Sequence, residues 1–150
     1  MKTTHYLFLS IFMSGIFSCL YSQEKTAVVF HKTHEVKKQN APYSDAVQVG
    51  DLFFLSGQIG MDHSTRTLVK GGIVAETKKS IKNIEEVLEQ HGMTLDNVVK
   101  CTIILSDIGD YAVFNEVYSK YFPKKPARTT MAAPGLPRNA KIEIEVVAVQ

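Results

Sequence analysis

Cysteine is nearly missing from these 150 residues: there are two, Cys19 and Cys101. Cys19 sits in a leader that reads as removable. An exported domain left with Cys101 alone cannot hold an intrachain disulfide, so its core must suffice without one. An excess of charge is missing too, with 17 Lys and Arg against 15 Asp and Glu. The Lys pairs 37/38, 78/79 and 124/125 are scattered rather than aligned, which argues against nucleic acid or an anionic membrane surface as the partner. From Gln23 to Gln150 there is no repeat, linker or low-complexity segment, so that stretch reads as one domain. At 45% hydrophobic and 21% charged residues, the composition is globular and neither disordered nor fibrous.

One long apolar run is present. Tyr6 to Leu20 follows the short positive start Met1-Lys2-Thr3-Thr4-His5. It is short for a membrane span and has the layout of a secretory signal peptide, so residues 1–22 are set apart from a domain at 23–150. Leu20-Tyr21-Ser22 before Gln23 offers a signal peptidase site. Ile16-Phe17-Ser18-Cys19 offers a loose lipobox that would leave a lipid anchor on Cys19, and an uncleaved anchor is a third route. All three predict an exported protein, periplasmic or secreted.

The domain begins with strand signals at 26–30, 46–49 and 52–56, and Gly50-Asp51 marks a two-residue hairpin between the last two. Three strands in a meander are expected. Val74, Thr77, Ile81, Ile84, Val87 and Leu88 recur at helical spacing up to a glycine cap at Gly92. Asn97 to Ser106 reads as a central strand, with Val99, Cys101, Ile103 and Leu105 on one face and Val98, Thr102 and Ile104 on the other. Asp107 or Asp110 caps a second helix to about Phe122, packing Val113, Phe114, Val117, Tyr118 and Tyr121. Arg128–Ala133 and Lys141–Val149 complete a βββαβαββ order. The fold class is α+β, with both helices on one face of a sheet.

In the last strand Ile142, Ile144, Val146 and Ala148 face the core, with Glu143, Glu145 and Val147 opposite. A second face carrying Val147, Thr102 and Thr130 is too apolar to be wet, and is expected to pack on other subunits. If the last two strands form a hairpin around Gly135-Leu136, Arg128 pairs with Glu143. That would be either a structural salt bridge or a fixed guanidinium with part of its fork free for a ligand carboxylate. Ser56-Gly57-Gln58-Ile59-Gly60 is not a GxSxG elbow or a phosphate loop. It reads as a turn, or as a place where backbone amides approach a ligand. Asn115, a poor helix former in an apolar helix, is either an ordinary surface residue or held by a fixed hydrogen bond. His31-Lys-Thr-His34-Glu35 has metal-site spacing but no third clustered ligand, and Cys101 reads as plain core.

Six segments together resemble one family. Asn40-Ala-Pro-Tyr43-Ser, Leu55-Ser-Gly-Gln-Ile59, Asn97-Val-Val-Lys100, Phe114-Asn115-Glu-Val-Tyr118, Pro126-Ala-Arg-Thr-Thr130 and Lys141-Ile-Glu-Ile-Glu-Val146 stand in the order and spacing of the RidA, or YjgF, enamine/imine deaminases. The resemblance covers about residues 25 to 150. It implies a chorismate-mutase-like protomer, two helices on one face of a mixed sheet, and a homotrimeric barrel with three sites between subunits. Matched residue by residue, it implies that Arg128 clamps the substrate carboxylate and Glu143 helps position the attacking water. Tyr43 and the backbone around Ser56 and Gly57 would line the site, Asn115 would border it, and Thr130 would replace a cysteine found in many relatives.

The implied activity is hydrolysis of 2-imino or enamino acids of the 2-aminoacrylate type to 2-oxo acids and ammonia, with no metal or organic cofactor. The competing reading is a non-catalytic trimer that binds small carboxylates. Nucleic-acid action, described for relatives, fits poorly with the near-neutral charge.

Overall fold

The structure is a computed structural model and describes residues 26–33, 35 and 38–150. The leader, with Cys19 and its processing routes, and His34 lie outside them. β1 (Val28–His31), β2 (Ala46–Val49) and β3 (Leu52–Ile59) form the antiparallel meander, and Gly50 at φ 59° turns the chain between β2 and β3.

β3 runs past Ser56 instead of turning there. Leu55 pairs with Val146 but Gln58 with Ile144, so β3 carries one residue more than its neighbour. This is a β-bulge at Ser56-Gly57, which keeps the strand going while re-aiming its side chains. A small hairpin follows, β4 (Met61–Asp62) and β5 (Thr67–Leu68). Strands of two residues are too short to leave an alternation in the sequence.

α1 (Gly72–Glu89) buries Thr77, Ile81, Ile84, Val87 and Leu88. It ends as expected. Gly92 sits at φ 69°, the Met93 N–H bonds the Leu88 carbonyl at 3.0 Å and the Gly92 N–H bonds the Glu89 carbonyl at 3.1 Å, the Schellman arrangement. β6 (Val98–Leu105), α2 (Tyr111–Tyr121) and β7 (Ala127–Ala132) form a crossover unit in which β7 runs parallel to β6. β8 (Ile142–Val149) returns antiparallel between β3 and β6. At the margins of the helical stripes, Val74 and Val113 are exposed.

The strand order is β1-β2-β3-β8-β6-β7, a mixed sheet in an α+β fold. The core lies between one sheet face and the helices. Phe53, Leu55, Cys101, Ile103, Ile142, Ile144 and Val146 meet Ile81, Ile84, Leu88, Phe114 and Tyr118.

Three expectations are corrected by the pairing. β7 and β8 do not form a hairpin, because β6 lies between them. A helix connecting two strands brings the second in parallel beside the first, and the following loop then crosses over β6. Arg128 therefore pairs with Cys101, while Glu143 pairs with Ile59 and Ile104. Thr130 pairs with Ile103 and lies on the helix side of the sheet, not on the open side. Val99 and Val98 exchange faces, because β6 is bulged where Val98 pairs with Ala148 and Lys100 with Val147. Val98 is buried and Val99 is 46% exposed.

The open face is apolar all the same. Leu52, Phe54 and Val149 are exposed on it, joined by Val28 and Phe30 from β1.

Candidate functional site

α2 presents Tyr111, Phe114 and Tyr118 along one side, spaced by three and four residues. Arg128, the second residue of β7, points at that side. Its guanidinium carbon lies 4.7 Å from the Tyr118 ring centre, 5.3 Å from Phe114 and 5.7 Å from Tyr111, each within cation–π range. Its Nη2 donates to the Tyr111 hydroxyl at 3.1 Å. Among the described residues no carboxylate lies within 4.0 Å of it. Arg128 is thus oriented by rings and one phenol, with most of its fork free.

The chemistry around Arg128 follows from the same contacts. A hydrogen bond from Asn115, then the Arg128 charge, holds the Tyr111 phenol below its ordinary pKa. Burial, then the bond to Cys101, pushes the Tyr118 phenol up, and its hydroxyl reaches the Cys101 sulfur at 3.3 Å. Burial also raises the Cys101 thiol, a buried group and an inert one. Asn115 and Arg128 line one pocket of about 740 Å³. Thr130 and Arg128 line another with Ile108 and Tyr111, and the Thr130 Oγ1 is shut from solvent without a hydrogen-bond partner.

Tyr43, Ser56, Gly57 and Glu143 meet elsewhere, in a pocket of about 340 Å³. Ser56 acts as a fastener rather than a nucleophile. Its Oγ donates to the Ser44 carbonyl at 2.7 Å and its N–H to the Asp45 carbonyl at 3.0 Å, which ties the Tyr43 loop to the bulge. Gly57 lets the Glu143 carboxylate lie against the strand, since a Cβ there would land on that carboxylate and push it aside. Glu143 faces the open side of the sheet. Burial, then repulsion from Glu145, raises its pKa, and no cation lies within 4.0 Å of it among the described residues.

The seven expected residues therefore form two groups: Arg128, Asn115 and Thr130 on the helix side, and Tyr43, Ser56, Gly57 and Glu143 on the other.

Several supporting residues were not singled out from sequence. Lys38, buried, pairs with Asp45 at 2.7 Å and lines the Glu143 pocket. Asn83, fully buried in α1, donates to the Ile59 and Met61 carbonyls at 3.1 and 3.0 Å. Glu76 accepts the Lys141 N–H at 2.7 Å, fixing the entry to β8 two residues before Glu143. The signal for these two was present: Glu76, Ser80 and Asn83 are polar residues at helical spacing on the apolar stripe of α1. Among the described residues no group of three or more His, Cys, Asp or Glu converges as a metal site. His31 bonds Gln48 at 3.0 Å and stacks on Phe53.

The family model described as Endoribonuclease L-PSP matches residues 33–150. A mouse protein named 2-iminobutanoate/2-iminopropanoate deaminase is 46% identical over 110 residues, which cover 73% of this chain and 82% of that one. A RutC family protein of Pyrococcus abyssi is 44% identical over 117 residues, 77% of this chain and 92% of that one. The crystal structure of a protein of the conserved Rid family from Yersinia pestis superposes with a TM-score of 0.76 at 36% identity, covering 83% of this chain and all of that one. With the fold, the motifs and these relatives in agreement, the chain belongs to the RidA (YjgF) family.

Proposed function

We propose that this protein hydrolyses small 2-imino acids to 2-oxo acids and ammonia, in sites assembled between copies of the chain in a homotrimer. The observation that carries the reading is Arg128, a half-buried guanidinium held by three rings and one phenol with no carboxylate partner among the described residues. Such a group is pre-organised for a planar carboxylate. Glu143 mirrors it as an acid with no cation in ion-pair range among the described residues. Two opposite charges without an ion-pair partner among the described residues, one of them on the exposed apolar face of the sheet, fit a site completed by a neighbouring copy. The deaminase names of relatives at 44–46% identity support the same chemistry.

An enamine of the 2-aminoacrylate type tautomerises to the imine, whose C=N carbon is electrophilic. Arg128 holds the carboxylate and so fixes that carbon. Glu143, with its raised pKa, accepts a proton from the adding water and returns it as the carbinolamine expels ammonia. Tyr43 and the Ser56-Gly57 bulge wall the site, and Asn115 and Thr130 border the clamp. Imines of this kind hydrolyse unaided, so orientation of substrate and water is the main contribution. The reaction needs neither a metal nor an organic cofactor. The leader at 1–22 places it outside the cytoplasm in this reading, with an amino-acid oxidase as a source of imine.

The test generates 2-iminopropionate in situ with an amino-acid oxidase and traps it with semicarbazide. The protein lowers the semicarbazone yield and Arg128→Ala does not. No suppression with any analogue, from normally folded protein, would leave a carboxylate-binding protein without turnover.

A further inference from the structure

The Glu143 pocket is lined by four basic side chains, Lys38, His63, Arg66 and Arg138, of which His63 is held toward its neutral form because burial lowers its pKa. Two of them are matched. Lys38 Nζ sits 2.7 Å from Asp45 Oδ1, and His63 Nδ1 sits 2.7 Å from Glu35 Oε1. Arg66 is held loosely. Its Nη1 is 3.9 Å from Glu35 Oε2, and both atoms are shut from solvent without a hydrogen-bond partner. Arg138 has no carboxylate within 4.0 Å among the described residues. Its Nη1 donates to the Arg66 carbonyl at 3.1 Å, which pins the guanidinium at the pocket rim and leaves its other donors free.

The backbone is bent to put it there. Arg138 and Asn139 both stand at φ 60°, and Arg66 at φ 62°, left-handed conformations that non-glycine residues keep only where the surroundings impose them.

We propose that this rim binds a second carboxylate, so that the preferred substrates are 2-imino acids with an acidic side chain, gripped at one end by Arg128 of a neighbouring copy in the proposed assembly and at the other by Arg138, whose guanidinium the Arg66 carbonyl holds. The inference rests on the hydrolase reading for its chemistry, but the charge of the pocket stands apart from turnover. A monocarboxylate would leave the Arg138 fork in water. A dicarboxylate supplies planar oxygens to that fork. The pocket's apolar walls, Ile59 and Met61, would suit an alkyl side chain instead, and the two alternatives separate cleanly.

The experiment has two arms. Calorimetry compares 2-oxoglutarate with 2-oxobutanoate, as product-like ligands of matched carboxylate and oxo groups. Semicarbazide trapping compares the imines of glutamate and alanine. Wild-type protein is expected to favour the dicarboxylate in both arms by about tenfold or more, the scale of one charge-assisted hydrogen bond. Arg138→Gln removes that ratio, and Arg138→Lys, with charge but no fork, keeps part of it.

Equal affinities in the wild type, or a preference that survives Arg138→Gln, would overturn the proposal and leave imine hydrolysis intact. Tight 2-oxoglutarate binding without hydrolysis of either imine would overturn the reaction and leave the dicarboxylate rim standing.

Discussion

Arg128 and Glu143 stand on opposite faces of one sheet, with β6 between their strands. Arg128 shares the helix face with its partner Cys101, and Glu143 shares the open face with Ile104. Within one chain the proposed clamp and the proposed acid are parted by the sheet, and the proposed site takes them from two copies.

That division predicts complementation. Arg128→Ala and Glu143→Gln are each expected to lose about a hundredfold or more in kcat/KM. Chains of the two variants, unfolded and refolded together, assort at random in a closed ring, so about a quarter of the sites regain both groups. Activity near that level is the expected assay result; mixtures no better than the single variants would show that both groups act from one chain or that no ring forms.

Two glycines, Gly57 in the β3 bulge and Gly60 just past the end of β3, separate function from stability. A methyl at Gly57 meets the movable Glu143 carboxylate, so Gly57→Ala is expected to cost roughly ten- to a hundredfold in activity with little change in Tm. A methyl at Gly60 comes within 2.5 Å of the Glu76 Cα in α1. Helix backbone cannot step aside as a carboxylate can, and Gly60→Ala should lose about 1–3 kcal/mol of stability. Thermal melts and kinetics on both variants check the contrast, and equal effects would contradict it.

Tyr118 has two roles that substitutions can part. Tyr118→Phe keeps the ring over Arg128 and gives up only the hydroxyl contact to Cys101, at about 1 kcal/mol of stability or less. Tyr118→Leu removes the ring, and ligand affinity at Arg128 should weaken by roughly three- to thirtyfold, the range of a cation–π contact. Oxo-acid binding by the two variants distinguishes a ring that orients the clamp from one that merely fills the core.

Asp62 carries the clearest acid-side signature. Its Oδ1 accepts the Ser64 hydroxyl at 2.6 Å and the Ser64 and Thr65 N–H groups at 2.8 and 3.1 Å. Those bonds, the hydroxyl first, lower its pKa from 3.8 to about 2. The native state therefore binds the proton less readily than the unfolded chain. The stability this adds is fully present above 3.8 and is lost as pH falls toward about 2. An NMR titration should find the Asp62 carboxyl half-protonated near that lower value, and Asp62→Asn should remove the corresponding part of the acid-unfolding profile. A midpoint in the ordinary carboxylate range would mean the β4–β5 turn is open in solution.

Much of the fold could be read locally. The two helices, the Gly50 turn, the Gly92 cap and the inward face of β8 each follow from a few neighbouring residues, because helical and strand periodicity and positive φ are local properties. The misjudged features share a cause. The bulges at Ser56-Gly57 and at Val99 insert one residue against a partner strand far away in sequence, and each shifts which side chains share a face. The hairpin expected of β7 and β8 is inviting because a Pro-Gly turn separates them, yet whether two strands pair depends on what else competes for the space between them. Arg138 and Asn83 join the site or its supports through contacts of the same long range.

From residue order alone came every helix and strand but the short β4 and β5 and the 3-10 turns, the helix-covered core and, by six short segments in register, the family. Tertiary pairing alone put β6 between β7 and β8, turned Arg128 toward the rings of α2 and set Glu143 over Gly57 on the far face. Periodicity dictates which side of its own strand a residue occupies, but only the order and direction of strands dictate which side of the molecule that is.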